Sequence, residues 1–213
     1  MKNFKKALVL LLVAALSVTL FCGCESTEEK MAALSGTWTM VMPDTAEQAQ
    51  ILLDNIELYP EEIALVDLNS LEQVKSVTFN MDGTYSFGYD VDGTLDCVRR
   101  FYLAAFDAMY EGRATLSNSY DADIANMTRE EFNQFYAELY TAADFDTLID
   151  LFVDNAYDTD ALAEPFETGT YTIKGNALMC TITGESKAES LPYEIEGNTL
   201  TLHFSNLDET YTR

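Results

Sequence analysis

The sequence holds a single histidine, His203, and that scarcity excludes much chemistry. A Ser-His-Asp triad or a histidine-rich zinc site needs partners that one imidazole does not supply. On the stretch carrying Leu200, Leu202 and Phe204, His203 alternates to the opposite face and reads as a surface residue. Positive charge is also scarce. Twelve Lys plus Arg stand against 36 Asp plus Glu, for a formal net charge of −24. A surface of that sign repels nucleic acid and acidic headgroups, so no nucleic-acid partner is expected and any membrane attachment needs another cause. A Gly-rich phosphate loop is absent. Asp90-x-Asp92-Gly93 shares spacing with part of a calcium loop, but Gly88 would fall at the first ligand and Arg99 at the bidentate acid, which rejects it. Asp121/Asp123 and Asp158/Asp160 lie in expected loops and read as solvated acids or helix caps. Glu130 and Glu131 are adjacent, so on a helix they do not face each other. No general acid and base can be nominated, no cofactor or metal is expected, and the chain reads as non-enzymatic.

The amino terminus has a different character. Lys2, Lys5 and Lys6 precede an apolar run from Ala7 to Phe21 broken only by Ser17 and Thr19. A run of about 15 residues falls short of the about 20 needed to span a bilayer and suits an export signal. It ends in Leu20-Phe21-Cys22-Gly23-Cys24, which resembles the lipobox of bacterial lipoproteins, with small Gly23 before the acceptor Cys24. Phe21 stands where that family usually has Leu, and its bulk makes Cys22 a poor acceptor. The resemblance implies cleavage before Cys24 and lipidation (palmitate among the acyl groups) of that cysteine. Residues 1–23 are then a signal peptide, 24–33 a lipidated cysteine and polar tether, and 34–213 the domain. The tether would reach roughly 35 Å at ~3.3 Å per residue. Cleavage takes Lys plus Arg from 12 to 9 and the formal charge from −24 to −27. Cys97 and Cys180 remain in a compartment that permits a disulfide, although two cysteines do not establish one.

Strand signals come in two blocks. Leu34, Gly36, Trp38, Met40 and Met42 alternate before Pro43. Val77 and Phe79 lead through Asn80-Met81-Asp82-Gly83 into Tyr85, Phe87 and Tyr89, the pattern of a hairpin. Near the carboxyl end Tyr-x-Ile-x-Gly-Asn-x-Leu occurs twice, at Tyr171–Leu178 and Tyr193–Leu200. The repeat puts Cys180 in the place of Leu202, so Cys180 reads as a small core residue rather than a disulfide partner. A last short strand is expected through Thr210 and Tyr211. Between the blocks lie helical insertions at about 44–72 and 94–165. Asp44-x-x-Glu47 and Thr128-x-x-Glu131 suggest caps, Pro60 suits a first helical turn, and three apolar stripes follow: Val98 to Met109; Phe132, Phe135, Tyr136 and Leu139; and Leu148, Leu151 and Phe152.

The strands carry a second resemblance. Leu34-Ser35-Gly36-Thr37-Trp38 is similar to the Gly-x-Trp signature of lipocalins, and the Val77–Tyr85 hairpin resembles one found in small bacterial lipocalin-like proteins. The two Tyr-x-Ile hairpins and the terminal Tyr-Thr-Arg resemble the same group, over roughly half of the mature chain. The resemblance implies a β-rich α+β fold: an antiparallel up-and-down barrel of about eight strands, with both helical insertions capping one end. In such a meander the two insertions leave from one rim, while the tight turns and the tether lie at the other. The barrel can hold a small apolar or amphipathic ligand or be filled by its own side chains. Trp38, Met40, Tyr85, Phe87, Tyr89, Tyr171 and Tyr193 are the candidate lining residues. The other readings are a protein or cell-wall contact through the helical cap and, with least support, an envelope hydrolase. The expected partners are a membrane, through lipid on Cys24, and a small ligand at the end farthest from it.

Overall fold

A computed structural model describes residues 26–56, 58, 60–113 and 122–213. The expected signal peptide, Cys24 and Asp121 lie outside the described residues. Eight strands, β1 (Gly36–Pro43), β2 (Glu72–Phe79), β3 (Thr84–Tyr89), β4 (Glu167–Lys174), β5 (Ala177–Ile182), β6 (Glu189–Glu196), β7 (Thr199–His203) and β8 (Asp208–Thr212), close into a barrel in sequence order. Each strand pairs antiparallel with the next, and β1 meets β8 at Thr39 and Thr212. This is the up-and-down meander expected from the sequence. Its cause is the period-two alternation, which sends Trp38, Val77, Phe79, Tyr85 and Phe87 into one interior. The tight turns use Gly83, Gly175 and Gly197 at positive φ, a conformation open to glycine at no steric cost. The repeat is in register too: Tyr171 pairs with Cys180 as Tyr193 pairs with Leu202. Cys97 and Cys180 are both buried and unbridged.

The stretch expected to be a tether differs. Residues Thr27–Leu34 form a helix, α1, opened by a capping box in which Ser26 and Glu29 satisfy each other's backbone amides. Leu34 is buried in the barrel core and Met31 packs against it. Lys30 Nζ donates to Gly175 O and Asn176 Oδ1 at 3.0 and 3.3 Å, which ties α1 to the tight-turn end. Eight helical residues span only ~12 Å at 1.5 Å each, less than half the reach of the same stretch fully extended. The polar run Glu25–Lys30 hid this helix because only its last residues meet the barrel.

The insertions leave from the opposite rim. The first contains α2 (Ala46–Asp54), α3 (Pro60–Ile63) and a 3₁₀ turn at Leu68–Ser70. The second contains α4 (Val91–Gly112), α5 (Ala122–Ala125), α6 (Arg129–Leu139), α7 (Phe145–Asp154) and α8 (Thr159–Ala163). They share one core, in which Leu52, Leu53 and Ile56 meet Phe101, Phe106, Phe132 and Phe152. Tyr102 OH donates to Leu52 O at 3.3 Å and Tyr157 OH to Asp44 Oδ2 at 2.9 Å, joining the two insertions. A buried bond from Val74 N to Thr94 Oγ1, 3.0 Å, fixes α4 against β2.

Details of the expected helices move. Thr45, not Asp44, caps α2; the Asp44 carboxylate is taken by Thr45 N and Tyr157 OH. The second insertion starts earlier, because Asp90 caps a helix beginning at Val91. Leu139 and Leu151 turn outward, 61% and 43% exposed, while Ile149 and Val153 go inside.

Candidate functional site

The barrel interior has two halves. Toward the tight turns large side chains pack together, with Tyr193 also facing the hollow beside α1. Trp38, Phe79, Tyr171, Leu200 and Tyr211 are buried there. The indole Nε1 of Trp38 donates to Leu34 O at 2.7 Å. The Arg213 guanidinium lies 4.2 Å from the centre of the Trp38 ring and donates to Ser35 O at 3.1 Å. Phe79 and Tyr171 meet edge to face at 5.2 Å, and Tyr171 OH reaches Asn80 O at 2.9 Å. At Gly169 a Cβ would stand 2.3 Å from Thr181 O and 2.7 Å from the Tyr85 ring, so only glycine admits that ring.

Toward the insertion rim the filling stops. A pocket of about 280 Å³ opens among Tyr85, Phe87, Glu167, Cys180, Leu191 and Phe204. All of its described lining comes from strands β3 to β7 and residues 203–205. The helices meet the barrel chiefly at β2, through α4, and none of the pocket's described lining is helical.

The mouth is charged as well as aromatic. Lys75 shares the inward parity of Val77 and Phe79, and its Nζ lies 2.6 and 2.8 Å from the two Glu209 carboxylate oxygens. Tyr211 OH donates to the same carboxylate. The ammonium also sits 5.8, 5.8 and 5.9 Å from the ring centres of Phe87, Phe166 and Phe204. Glu167 Oε1 accepts from Tyr85 OH at 2.9 Å. Burial, then the bond to Glu167 and its charge, push the Tyr85 phenol up from its ordinary range. Burial, with the Glu167 charge behind it, pushes the Cys180 thiol up to about 12. Both groups are therefore neutral at physiological pH.

Of the seven residues nominated from sequence, Tyr85 and Phe87 line the mouth. Tyr89 stands at the rim, 5.6 Å from Phe166, and Met40 is half-buried opposite Lys75. Trp38, Tyr171 and Tyr193 belong to the apolar core of the barrel. Sequence reasoning missed Lys75, Glu167, Phe166, Phe204 and Glu209. The available signal was parity: Lys75, Glu167 and Glu209 each share a strand face with an inward residue, Val77, Tyr171 and Tyr211 respectively.

Other candidates have structural roles. Asp90 and Asp158 cap α4 and α8, and the described residues contain no His, Cys, Asp and Glu cluster arranged for a metal. His203 is not a free surface group: its Nδ1 is 2.9 Å from Asp208 Oδ1 and it borders the mouth. Two further hollows exist among the described residues. One of about 420 Å³ lies between α1 and β6, beside Lys30, Ala33 and Glu194. The other is a shallow groove of about 490 Å³ on α6, between Met127, Phe135 and four polar side chains. No described helix is long and apolar enough to cross a membrane. Comparison with known proteins gives no match to a family model, a curated protein or a solved structure.

Proposed function

We propose that this chain is a lipid-anchored, extracytoplasmic lipocalin-like protein, without enzymatic activity, that binds a small amphipathic ligand at the barrel mouth. The observation that carries the reading is the pocket of about 280 Å³ between Tyr85, Phe87 and Leu191, apolar on its floor and polar at its edge. Small-ligand sites have this composition, and this one is near the lower end of the usual size range of about 300–1,000 Å³. The packed half of the barrel beneath it acts as a rigid base. The lipobox supports attachment through Cys24. With α1 bound at the tight-turn end, attachment there leaves the mouth facing away from the membrane.

The test is binding of the neutral dye prodan to the intact protein in lipid nanodiscs, with empty nanodiscs as the blank. The wild type should saturate with a blue shift. Leu191→Trp, which fills the pocket, should abolish saturation while the circular dichroism is kept. Equal saturation of both proteins, or of neither, refutes the mouth as the site.

A second reading, contact with another protein or the cell wall through the helical layer, has one observation behind it. The groove on α6 is lined by half-buried Phe135 and Met127 among three acids and Gln134, and Leu139 nearby in sequence is exposed. Charge substitution at Leu139 should weaken such a contact without altering the barrel.

A further inference from the structure

The charges of the mouth bear on which amphipathic ligand fits it. Among the described residues two carboxylates line the pocket, Glu167 and Glu189, and no lysine or arginine does; His203, the one basic side chain of the lining, is paired with Asp208. The nearest ammonium, Lys75, is already matched by both oxygens of Glu209, so it offers an anion no uncompensated charge. Glu167 keeps one carboxylate oxygen beyond the bond from Tyr85. Glu189 lies across the pocket on β6 with an exposed side chain.

The rings point the same way. Phe87 and Phe204 line the pocket and also flank the Lys75 ammonium at 5.8 and 5.9 Å. Their faces are thus arranged around one cation inside the barrel. Aromatic faces attract cations through the ring quadrupole, and the attraction grows when water is excluded. Around the site the whole chain carries a formal charge of −24, a field that concentrates cations and repels anions.

We infer that the barrel mouth selects a small cationic amphipath, an amine or quaternary ammonium with a short apolar body, whose charge meets Glu167, Glu189 and the Phe204 ring and whose body rests on Phe87 and Leu191. This inference rests on the mouth being the binding site and assigns the ligand's charge.

The test uses three probes of one skeleton, hexylammonium, hexanol and hexanoate, titrated calorimetrically into the intact protein in phosphatidylcholine nanodiscs, with empty nanodiscs subtracted. Hexylammonium should bind about tenfold more tightly than hexanol, and hexanoate should not bind. Glu167→Gln with Glu189→Gln should remove most of the preference for hexylammonium over hexanol and leave hexanol unchanged. Phe204→Leu, a conservative change at a rim residue, should reduce the cation preference severalfold while both proteins melt alike. If hexanol or hexanoate binds as well as hexylammonium, and Leu191→Trp abolishes that binding, the charge assignment fails and the mouth stands. If all three probes bind the Leu191→Trp protein as they bind the wild type, the mouth fails as well.

Discussion

Consider replacing Glu209 with Leu. Its carboxylate is 11% exposed and takes both the Lys75 ammonium, 17% exposed, and the Tyr211 hydroxyl. Removing one member of a buried pair leaves the other charge without compensation, at a cost of about 3–5 kcal/mol. The three phenyl rings around Lys75 offset part of that, about 0.5–2 kcal/mol. Tyr211 loses an acceptor as well, worth about 1 kcal/mol. The net expectation is a loss of about 4 kcal/mol. For a domain of this size that lowers the melting temperature by about 10 °C. The partner experiment replaces both charges, Lys75→Met with Glu209→Leu. Neither member of the pair then remains to be left uncompensated, and stability should return to within about 1 kcal/mol of the wild type, short only by the Tyr211 bond. Urea unfolding followed through Trp38, the one tryptophan of the chain, measures all of these. If Glu209→Leu changes stability by less than about 1 kcal/mol, the pair is solvated and the mouth is wetter than argued. If the double variant is as unstable as the single one, the loss comes from packing and the charge argument fails.

Cys24→Ser should move the protein from the membrane fraction to the soluble fraction with an unchanged circular dichroism spectrum; firm retention in the membrane would refute lipid anchoring. Gly169→Ala drives a methyl group to 2.3 Å from Thr181 O and into the Tyr85 ring, so it should unfold the barrel or cost at least about 3 kcal/mol, whereas Gly184→Ala, with open space around it but φ +90°, should cost only the left-handed backbone strain of about 1–2 kcal/mol. Arg213→Ala removes the cation from the Trp38 face and the bond to Ser35 O; a loss of about 1–2 kcal/mol is expected, with a shift in tryptophan emission, and unchanged emission would contradict the packing. Burial raises the Cys180 thiol from its ordinary value of 9.0 to about 12, and it also raises the phenols of Tyr102 and Tyr211. Between about pH 9 and 12 the unfolded chain therefore binds fewer protons than the native one, so stability should fall as pH rises. A melting temperature that is flat or rising over pH 8.5–11 would overturn that.

Much of the barrel was legible because each of its decisions is local. Alternation sends Trp38, Tyr85 and Phe87 inward, the Gly-Asn turns close the hairpins, and the up-and-down order is the one the lipocalin resemblance implies. The shared rim of the insertions followed from counting strands. Helix ends were less secure, since Asp44 and Thr45 both make acceptable caps and only the demand of Tyr157 for Asp44 decides between them. Helix α1 escaped notice because its stability comes from Leu34 and Met31 meeting the barrel rather than from a stripe of its own.

The candidate site divides along the same line. That aromatic side chains point into the barrel is a property of the sequence, because parity alone settles it. Whether they fill the interior or line a hollow depends on how eight strands converge. Tertiary packing puts Trp38 under Arg213 and fills one half, while Glu167, Leu191 and Phe204, far apart in the chain, leave a gap at the other. The pairing of Lys75 with Glu209 spans 134 residues, and no periodicity carries information over that distance. The sequence by itself determined which face each strand buries; only the closed barrel decided which buried charges meet, and where space remains between them.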